Sequence, residues 1–261
     1  MNETDCQRER SYKLISCEIF FREMCAAVSR SPNRIDIQFL PKGLHDIGSK
    51  EMSSRLQVAV DSVESGPYEA ILLGYGLCNN GLNGLIARDL PLVLPRAHDC
   101  ITLFMGSSDR YIEYFNNNPG VYFETTGWLE RGKGLQQLQD LSVQNKFGMD
   151  LSYEDLVAKY GEDNAKYLFE ELHGNERGYQ RIAFIEMGVE PDDRFEDRAK
   201  KEAKDKGWGY EKIQGDLSMI ERLVDGDWND TEFLVVPPGH KITAHYGEGL
   251  IAAEKIEEKG S

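Results

Sequence analysis

The sequence has no long hydrophobic run. None of its uninterrupted apolar stretches approaches the ~20 residues that a helix needs to span a bilayer. The first ten residues, Met-Asn-Glu-Thr-Asp-Cys-Gln-Arg-Glu-Arg, are too polar to form a secretory signal peptide. We therefore expect a protein that makes no contact with a membrane and is located in the cytoplasm.

Positive charge is also scarce. Lys and Arg together number 30 against 45 for Asp and Glu, which gives a formal net charge of −15. Because binding to phosphate backbones needs clustered Lys and Arg, this balance argues against a nucleic-acid partner. The hydrophobic share of 40% is ordinary for a globular protein, and 261 residues can bury the core of one large α/β domain or of two small lobes.

Short apolar runs alternate with amphipathic helices through much of the chain. The first four predicted strands end at Cys17, Leu40, Leu73 and Pro95, and Ser49 is predicted to cap the helix before the third strand. This alternation is typical of parallel sheets. We predict an α/β fold with two Rossmann-like lobes around a helical insertion. Residues 1–108 are predicted to form an α/β lobe that carries the Cys/His site. Residues 109–178 are predicted to form a mainly helical insertion or cap, with helices over 135–147 and 153–172. Residues 179–261 are predicted to form a second α/β lobe that ends in a helix over 247–257.

Cysteine is sparse, yet three of the five cysteines follow the ends of predicted strands. Cys17, Cys78 and Cys100 occupy these positions, and His98 lies beside the last of them. In a reducing compartment such cysteines are free for metal, redox or catalytic roles. Because the carboxyl ends of parallel strands share one edge of a sheet, where α/β folds place ligands, we predict a soft metal site there. Cys6 and Cys25 lie in a polar tail and inside a helix, and no role is predicted for them.

The densest motif is the glycine-rich turn Gly-Tyr-Gly-Leu-Cys-Asn-Asn-Gly, which begins at Gly74. Its spacing departs from the dinucleotide fingerprint, so a nucleotide is not the favoured ligand. Glycine lets a ligand approach the backbone closely, and asparagine amides can orient it. We therefore predict a cofactor-binding role for a small group of residues. These are Gly74, Gly76, Asn79, Asn80 and, from the predicted second lobe, His240.

The second motif is Pro-Arg-Ala-His-Asp-Cys, which ends at Cys100. His98 is a candidate metal ligand or acid/base group, and Asp99 could orient an imidazole or act as an acid/base group. Arg96 could bind a substrate carboxylate or phosphate, or lower the pKa of a thiol nearby. His45, after the second strand, could bring another imidazole to the same edge of the sheet. We therefore name His98, Asp99, Arg96 and His45 as candidate catalytic residues.

Several segments together resemble a family of uncharacterised proteins found mainly in anaerobic bacteria and archaea, known as domain of unknown function 1638. The matching segments are Leu-His-Asp-Ile-Gly-Ser ending at Ser49, Leu-Gly-Tyr-Gly-Leu-Cys-Asn-Asn-Gly ending at Gly81, Pro-Arg-Ala-His-Asp-Cys-Ile-Thr-Leu-Phe ending at Phe104, Gly-Trp-Leu-Glu-Arg ending at Arg131, and Phe-Leu-Val-Val-Pro-Pro-Gly-His ending at His240. The resemblance implies no activity. Because such proteins often accompany corrinoid-dependent methyltransferases, it implies a context in one-carbon metabolism, with a corrinoid protein or methyltransferase as partner.

Zinc enzymes that pass a methyl group from a corrinoid to a thiol are similar in using a His-x-Cys pair and a distant cysteine. Here the pair would be His98 and Cys100, with Cys78 or Cys17 as the third ligand. In those enzymes the distant cysteine comes later in the chain and the fold is an eight-stranded barrel. The likeness is therefore limited to the metal site.

These observations predict a metal-dependent enzyme, a transferase or lyase, in which Cys17, Cys78, Cys100 and His98 hold a metal that activates a small substrate. Zinc is the first choice, and a [4Fe–4S] cluster with one open iron is the alternative. Two other hypotheses stay open. One is a non-catalytic protein that binds a metal or a corrinoid for a methyltransferase, and the other is a metal-free enzyme with Cys78 or Cys100 as a nucleophile activated by His98.

Overall fold

The structure is a computed structural model that describes residues 9–78, 80–131, 153–162, 164–166, 178–245 and 250–257. Its strands are β1 (Ser11–Cys17), β2 (Arg34–Leu40), β3 (Ala70–Gly74), β4 (Leu92–Pro95), β5 (Val121–Thr125), β6 (Arg181–Glu186), β7 (Gly209–Gln214), β8 (Phe233–Val236), β9 (His240–Ala244) and β10 (Ile251–Lys255). Its α-helices are α1 (Phe21–Arg30), α2 (Ser49–Asp61), α3 (Cys100–Met105), α4 (Ser108–Asn117), α5 (Thr126–Arg131), α6 (Tyr153–Tyr160), α7 (Arg194–Lys206) and α8 (Ser218–Asp225). Single 3-10 turns cover Glu18–Phe20 and Lys42–His45.

The larger sheet has five strands in the order β2-β1-β3-β4-β8. The first four strands are parallel, and β8 joins the edge of β4 in the antiparallel direction. Every residue of β3 and β4 is buried, as expected for central parallel strands that are covered on both faces. The predicted α/β class with a parallel sheet flanked by helices is confirmed.

The smaller sheet has three parallel strands in the order β5-β6-β7. A separate hydrophobic cluster forms where α7 and α5 pack against it. The buried members of this cluster are Leu129, Ile182, Phe184, Ala199 and Ala203. The stripe of small apolar residues on the highly charged α7 is therefore what attaches that helix to the sheet.

Direct backbone contact joins the two sheets. Helix α5 packs against the 3-10 turn that follows β1, and a side chain on Gly127 would collide with the carbonyl oxygen of Ile19. Beside this contact, Arg22 donates two hydrogen bonds of 2.9 Å to the carboxylate of Glu130. The turn that follows Cys17 is therefore held from the side of the smaller sheet.

Some predicted elements differ in the structure. The predicted helix over 247–257 is wrong, because Ile251–Lys255 forms a strand that pairs antiparallel with β9 and buries Ile251. The helix-forming residues of this segment are overridden by that pairing, which also sets Glu254 opposite Lys241. Ser49 is the first residue of α2 rather than its cap, since Gly48 takes the cap position with φ at +88°.

The two sheets also combine strands from different predicted parts of the chain. β5, which lies within the predicted insertion, joins the smaller sheet, and β8, from the predicted second lobe, joins the larger one. The predicted helix over 135–147 lies outside the described residues, and of the one over 153–172 the structure describes α6 and residues 164–166. Within the described part of the chain, no helix has both the length and the apolar character needed to cross a membrane.

The Glu23 carboxyl on α1 is fully buried, and neither of its oxygens accepts a hydrogen bond from another described residue. Burial raises its pKa from 4.5 to about 7, with Glu190 and Glu130 adding to the rise and Arg22 opposing it. Because the folded-state pKa lies above the unfolded one, this carboxyl stabilises the fold in acid. That contribution is lost as the pH rises from 4.5 to 7.

Ionisation of Glu23 is expected to lower the free energy of unfolding of the wild type by about 3 kcal/mol between pH 4.5 and pH 8. We predict that Glu23→Gln abolishes this decrease. Urea unfolding at both pH values measures this loss in the wild type and the variant. Glu64→Gln is the control, because the Glu64 side chain is exposed. Equal pH dependence in the wild type and Glu23→Gln would contradict the prediction.

Candidate functional site

Three neighbouring strands bring three thiols to one edge of the larger sheet. Cys17 is the last residue of β1, Cys78 lies in the turn after β3, and Cys100 begins α3 after β4. Since β1 pairs with β3 and β3 pairs with β4, all in parallel, these positions are adjacent at the carboxyl edge. All three cysteines line one pocket, as the strand pattern predicts.

The pocket is small and mostly apolar. Its cavity volume is only about 20 Å³, and the larger empty space of about 380 Å³ around it is partly open to solvent. That is enough for a single water or ion, or for a few atoms of a ligand. The side chains that complete its lining are Ile19, Phe20, Pro41, Lys42, Leu44, His45, Met52, Tyr75 and Trp128, together with Gly76.

Tight backbone packing places Cys78 next to Cys100. The Leu77 N–H donates to the Ala97 carbonyl at 2.8 Å, which ties the turn after β3 to the segment after β4. Any side chain on Gly76 would lie 2.6 to 2.8 Å from backbone atoms of Asp99. Cys78 itself has a φ of +36°, a conformation that non-glycine residues rarely adopt. The surrounding contacts therefore fix this cysteine in a strained geometry.

Asp99 holds the start of α3. Its Oδ1 accepts hydrogen bonds from the N–H groups of Ile101 and Thr102 at 2.9 and 3.3 Å, which is the geometry of an N-cap. Its Oδ2 accepts a hydrogen bond from the Tyr111 hydroxyl at 2.8 Å. The Asp99 carboxylate therefore stabilises the helix on which Cys100 is the first residue.

Burial keeps the three thiols protonated. It raises the pKa of Cys17 and of Cys78 from 9.0 to about 12 and also raises that of Cys100. Neighbouring thiols raise the pKa of Cys78 and Cys100 further, and the Glu18 and Asp46 carboxylates do so for Cys17. Hydrogen bonds to the sulfurs act in the opposite direction. The donors are the Ile19 N–H for Cys17, the Gly76 and Cys100 N–H groups for Cys78, and the Trp128 indole for Cys100.

One side of the pocket is formed by a cation and two rings. The Lys42 ammonium lies 3.8 Å from the centre of the Trp128 ring, and the His45 ring meets the same indole edge-on with centroids 6.4 Å apart. Burial is the main cause that lowers the pKa of Lys42, and the nearby Asp46, Cys17, Cys100 and Glu18 oppose it. His45 also contacts Asp46, with 3.2 Å between Nδ1 and Oδ1.

Other predicted site residues lie elsewhere. The His98 side chain is 71% exposed and sits 3.7 Å from the Asp99 carboxylate, outside the pocket lining. The Arg96 side chain donates hydrogen bonds to the carbonyls of Asp230, Phe233 and Ile251, so it ties β4 to the C-terminal strands. His240 begins β9, where its Nδ1 lies 3.1 Å from the Pro238 carbonyl. The structure does not bring these three residues to the thiols.

The glycine-rich turn plays a largely structural part. Gly74 lets β3 pass close to Ser16, since a side chain there would collide with that serine. Asn80 is exposed in the turn with φ at +60°, and Asn79 lies outside the described residues. Of the predicted cofactor-binding residues, Gly76 alone lines the pocket among those that the structure describes.

The pocket residues that were not predicted include two with polar side chains, Lys42 and Tyr75. Lys42 follows Pro41 at the end of β2, and Tyr75 follows β3 directly, so both also lie at the carboxyl edge of the sheet. Position after a strand end was the signal that could have identified them. Across the part of the chain that the structure describes, no three His, Cys, Asp or Glu side chains are already arranged as a metal site.

We predict that Gly76→Ala destabilises the protein by about 1–3 kcal/mol, because the added methyl group meets backbone that cannot rotate away. Gly66→Ala is the matched control, since nothing lies within 4 Å of the methyl group it would add. Urea unfolding measures both changes. Similar unfolding midpoints for the two variants would contradict the close packing of these turns.

We also predict slow alkylation of the pocket thiols in metal-free protein. A pKa of about 12 instead of 9.0 lowers the thiolate fraction of Cys17 and Cys78 at pH 8 by about a thousandfold. Treatment with iodoacetamide followed by peptide mass spectrometry measures each rate, and the urea-unfolded chain is the reference. Alkylation of folded Cys17 or Cys78 at the unfolded rate would contradict the buried, protonated state.

A family model described as a protein of unknown function, DUF1638, matches residues 39–224. The match spans well over half of the chain and includes Cys78 and Cys100, while Cys17 precedes it. No curated protein and no solved structure matches the chain. The resemblance drawn from the sequence segments is therefore confirmed, and this chain belongs to the DUF1638 family.

Proposed function

We propose that the protein is a metal-dependent enzyme whose Cys17, Cys78 and Cys100 thiolates hold a soft metal ion at the carboxyl edge of the larger sheet. Zinc is the metal we favour, with one coordination position left for a small substrate. The observation that carries the proposal is the convergence of three thiols from three adjacent strand ends on one pocket. Thiolate sulfur is a preferred ligand of zinc and of iron–sulfur clusters.

The hydrogen bonds to the sulfurs support a thiolate site. Each of the three cysteines receives at least one N–H donor, and such donors favour the charged form of a thiol. In metal centres, groups that donate to the ligand atoms orient them and tune the metal. Because no metal-site arrangement is already present among the described side chains, metal binding would require the thiols to turn toward a common point.

Charge and space favour a single divalent ion. Three thiolates and Zn²⁺ carry a net charge of −1, and the Lys42 ammonium on the pocket wall would balance it. The narrow interior of about 20 Å³ suits one ion. A cube of four irons and four sulfides needs more room than this, so the [4Fe–4S] alternative would require the pocket to widen.

Bound zinc would supply Lewis acidity or hold a substrate thiol as a thiolate. His45 is the histidine that we propose for proton transfer, since its ring lines the pocket. Trp128 shields the site from water and donates to the sulfur of Cys100. The context that we propose is thiol or methyl transfer in corrinoid-linked one-carbon metabolism. A corrinoid is far too large for this pocket and would have to be presented by a partner protein.

The size of the pocket also favours a second candidate. A space suited to one ion is compatible with a non-catalytic protein that holds a metal for a methyltransferase system. In that case the metal site would saturate without turning over a substrate. The metal-free nucleophile hypothesis has less support, because burial raises the pKa of both candidate thiols and His98 does not line the pocket.

Anaerobic purification followed by metal analysis and a visible spectrum tests the metal proposal. We expect a colourless protein with about one zinc per chain. Cys17→Ser, Cys78→Ser and Cys100→Ser should each lower the zinc content, while Cys25→Ser on α1, whose residue does not line the pocket, should leave it unchanged.

A brown protein that contains iron and sulfide would contradict the zinc proposal and support the [4Fe–4S] cluster. Protein that takes up no added metal, and whose unfolding midpoint is the same in the three pocket variants as in Cys25→Ser, would contradict a metal site altogether.

A further inference from the structure

The pocket contains a half-buried cation that forms no salt bridge in the described structure. The Lys42 ammonium lies over the Trp128 ring at 3.8 Å. In the described part of the chain no carboxylate lies within 4.0 Å of it, and no carbonyl accepts a hydrogen bond from it. An ammonium group can donate three hydrogen bonds, and no group in the described part of the chain accepts one from Lys42.

A second donor in the same pocket is also unused. Tyr75 is only 3% exposed, and its hydroxyl has no hydrogen-bond partner in the described structure. The residue lines the pocket together with Lys42. A buried hydroxyl that makes no hydrogen bond costs free energy, and such a group in a native structure calls for an explanation.

Carboxylates around the pocket already have partners within the protein. One oxygen of the Glu18 carboxylate accepts a hydrogen bond from the Lys42 backbone N–H at 2.9 Å. Asp46 contacts the His45 ring, and Asp99 accepts from the start of α3 and from a tyrosine hydroxyl. In the metal-free form the pocket therefore presents hydrogen-bond donors and three protonated thiols, but no carboxylate in its described lining.

We propose that the pocket binds the carboxylate of a small anionic substrate between the Lys42 ammonium and the Tyr75 hydroxyl. This inference rests on the proposed function, because it treats the pocket beside the thiols as the substrate site. Lys42 and Tyr75 would be its binding residues. Charge-assisted hydrogen bonds from both would hold the substrate and orient its other end toward the thiols.

The same arrangement excludes substrates of the opposite charge. A methylammonium ion would meet the Lys42 ammonium in an apolar pocket, where repulsion between like charges is poorly screened. The narrow space limits the substrate to a few atoms, its carboxylate included. Of the one-carbon compounds, the pocket thus selects an anion such as formate over the methylamines.

Formate enriched in carbon-13 is the probe for this inference. Its NMR line width is measured with increasing amounts of full-length protein, both zinc-loaded and metal-free. We expect saturable binding to the wild type, weakened about tenfold or more in Lys42→Met and several-fold in Tyr75→Phe. Lys42→Arg, which keeps the charge, should retain binding. The controls Lys50→Met, at an exposed site on α2, and Tyr179→Phe, outside the pocket, should bind like the wild type.

Several outcomes would overturn the inference. They are an absence of formate binding to both forms of the wild type, wild-type affinity in both Lys42→Met and Tyr75→Phe, or tighter binding of methylammonium than of formate. If Lys42→Met does not fold, the comparison of Tyr75→Phe with Lys42→Arg decides. Formate binding without any uptake of zinc would contradict the metal proposal alone, whereas zinc uptake without formate binding would contradict this inference alone.

Discussion

Parallel pairing of β1 with β3 and of β3 with β4 is the constraint on which the site depends. Three strands that run in one direction must end at one edge, and a cysteine lies at or shortly after the end of each of them. The strands are buried and apolar, so their register is set by the core rather than by the site. Hydrophobic packing of the strands therefore sets the positions of the groups at this edge, and the thiols contribute little to the stability of the arrangement.

Close backbone approach turns this common edge into a pocket. Gly74 lets β3 lie against Ser16, and Gly76 lets the turn that carries Cys78 touch the backbone before Cys100. From the other side, Gly127 brings α5 against the turn after Cys17, which places Trp128 over the thiols. Small residues at three contacts thus set how near the sulfurs and the indole can come to one another.

The positions of the three cysteines were predictable from the sequence because strand ends are marked by apolar runs and topology then groups them. The outward position of the His98 side chain could not be predicted from the sequence. It depends on the cap that Asp99 forms at the start of α3, which determines which neighbouring side chain turns toward the pocket. Position after a strand end was the one signal that set Lys42 apart among 30 Lys and Arg residues, and its contact with Trp128 depends on a helix distant in the sequence. The strand Ile251–Lys255 was missed because its residues favour a helix and only pairing with β9 makes it extended.

Arg96 connects the thiol edge to a remote part of the chain. Its guanidinium binds carbonyls of Asp230, Phe233 and Ile251, and it lies four residues before Cys100. During synthesis, Cys17, Cys78 and Cys100 leave the ribosome long before the carbonyl of Ile251 exists. The segment that carries Cys100 therefore acquires its full set of contacts only after residue 251 has been added. Full assembly of this edge of the sheet would thus wait until the strands after residue 230 have been made.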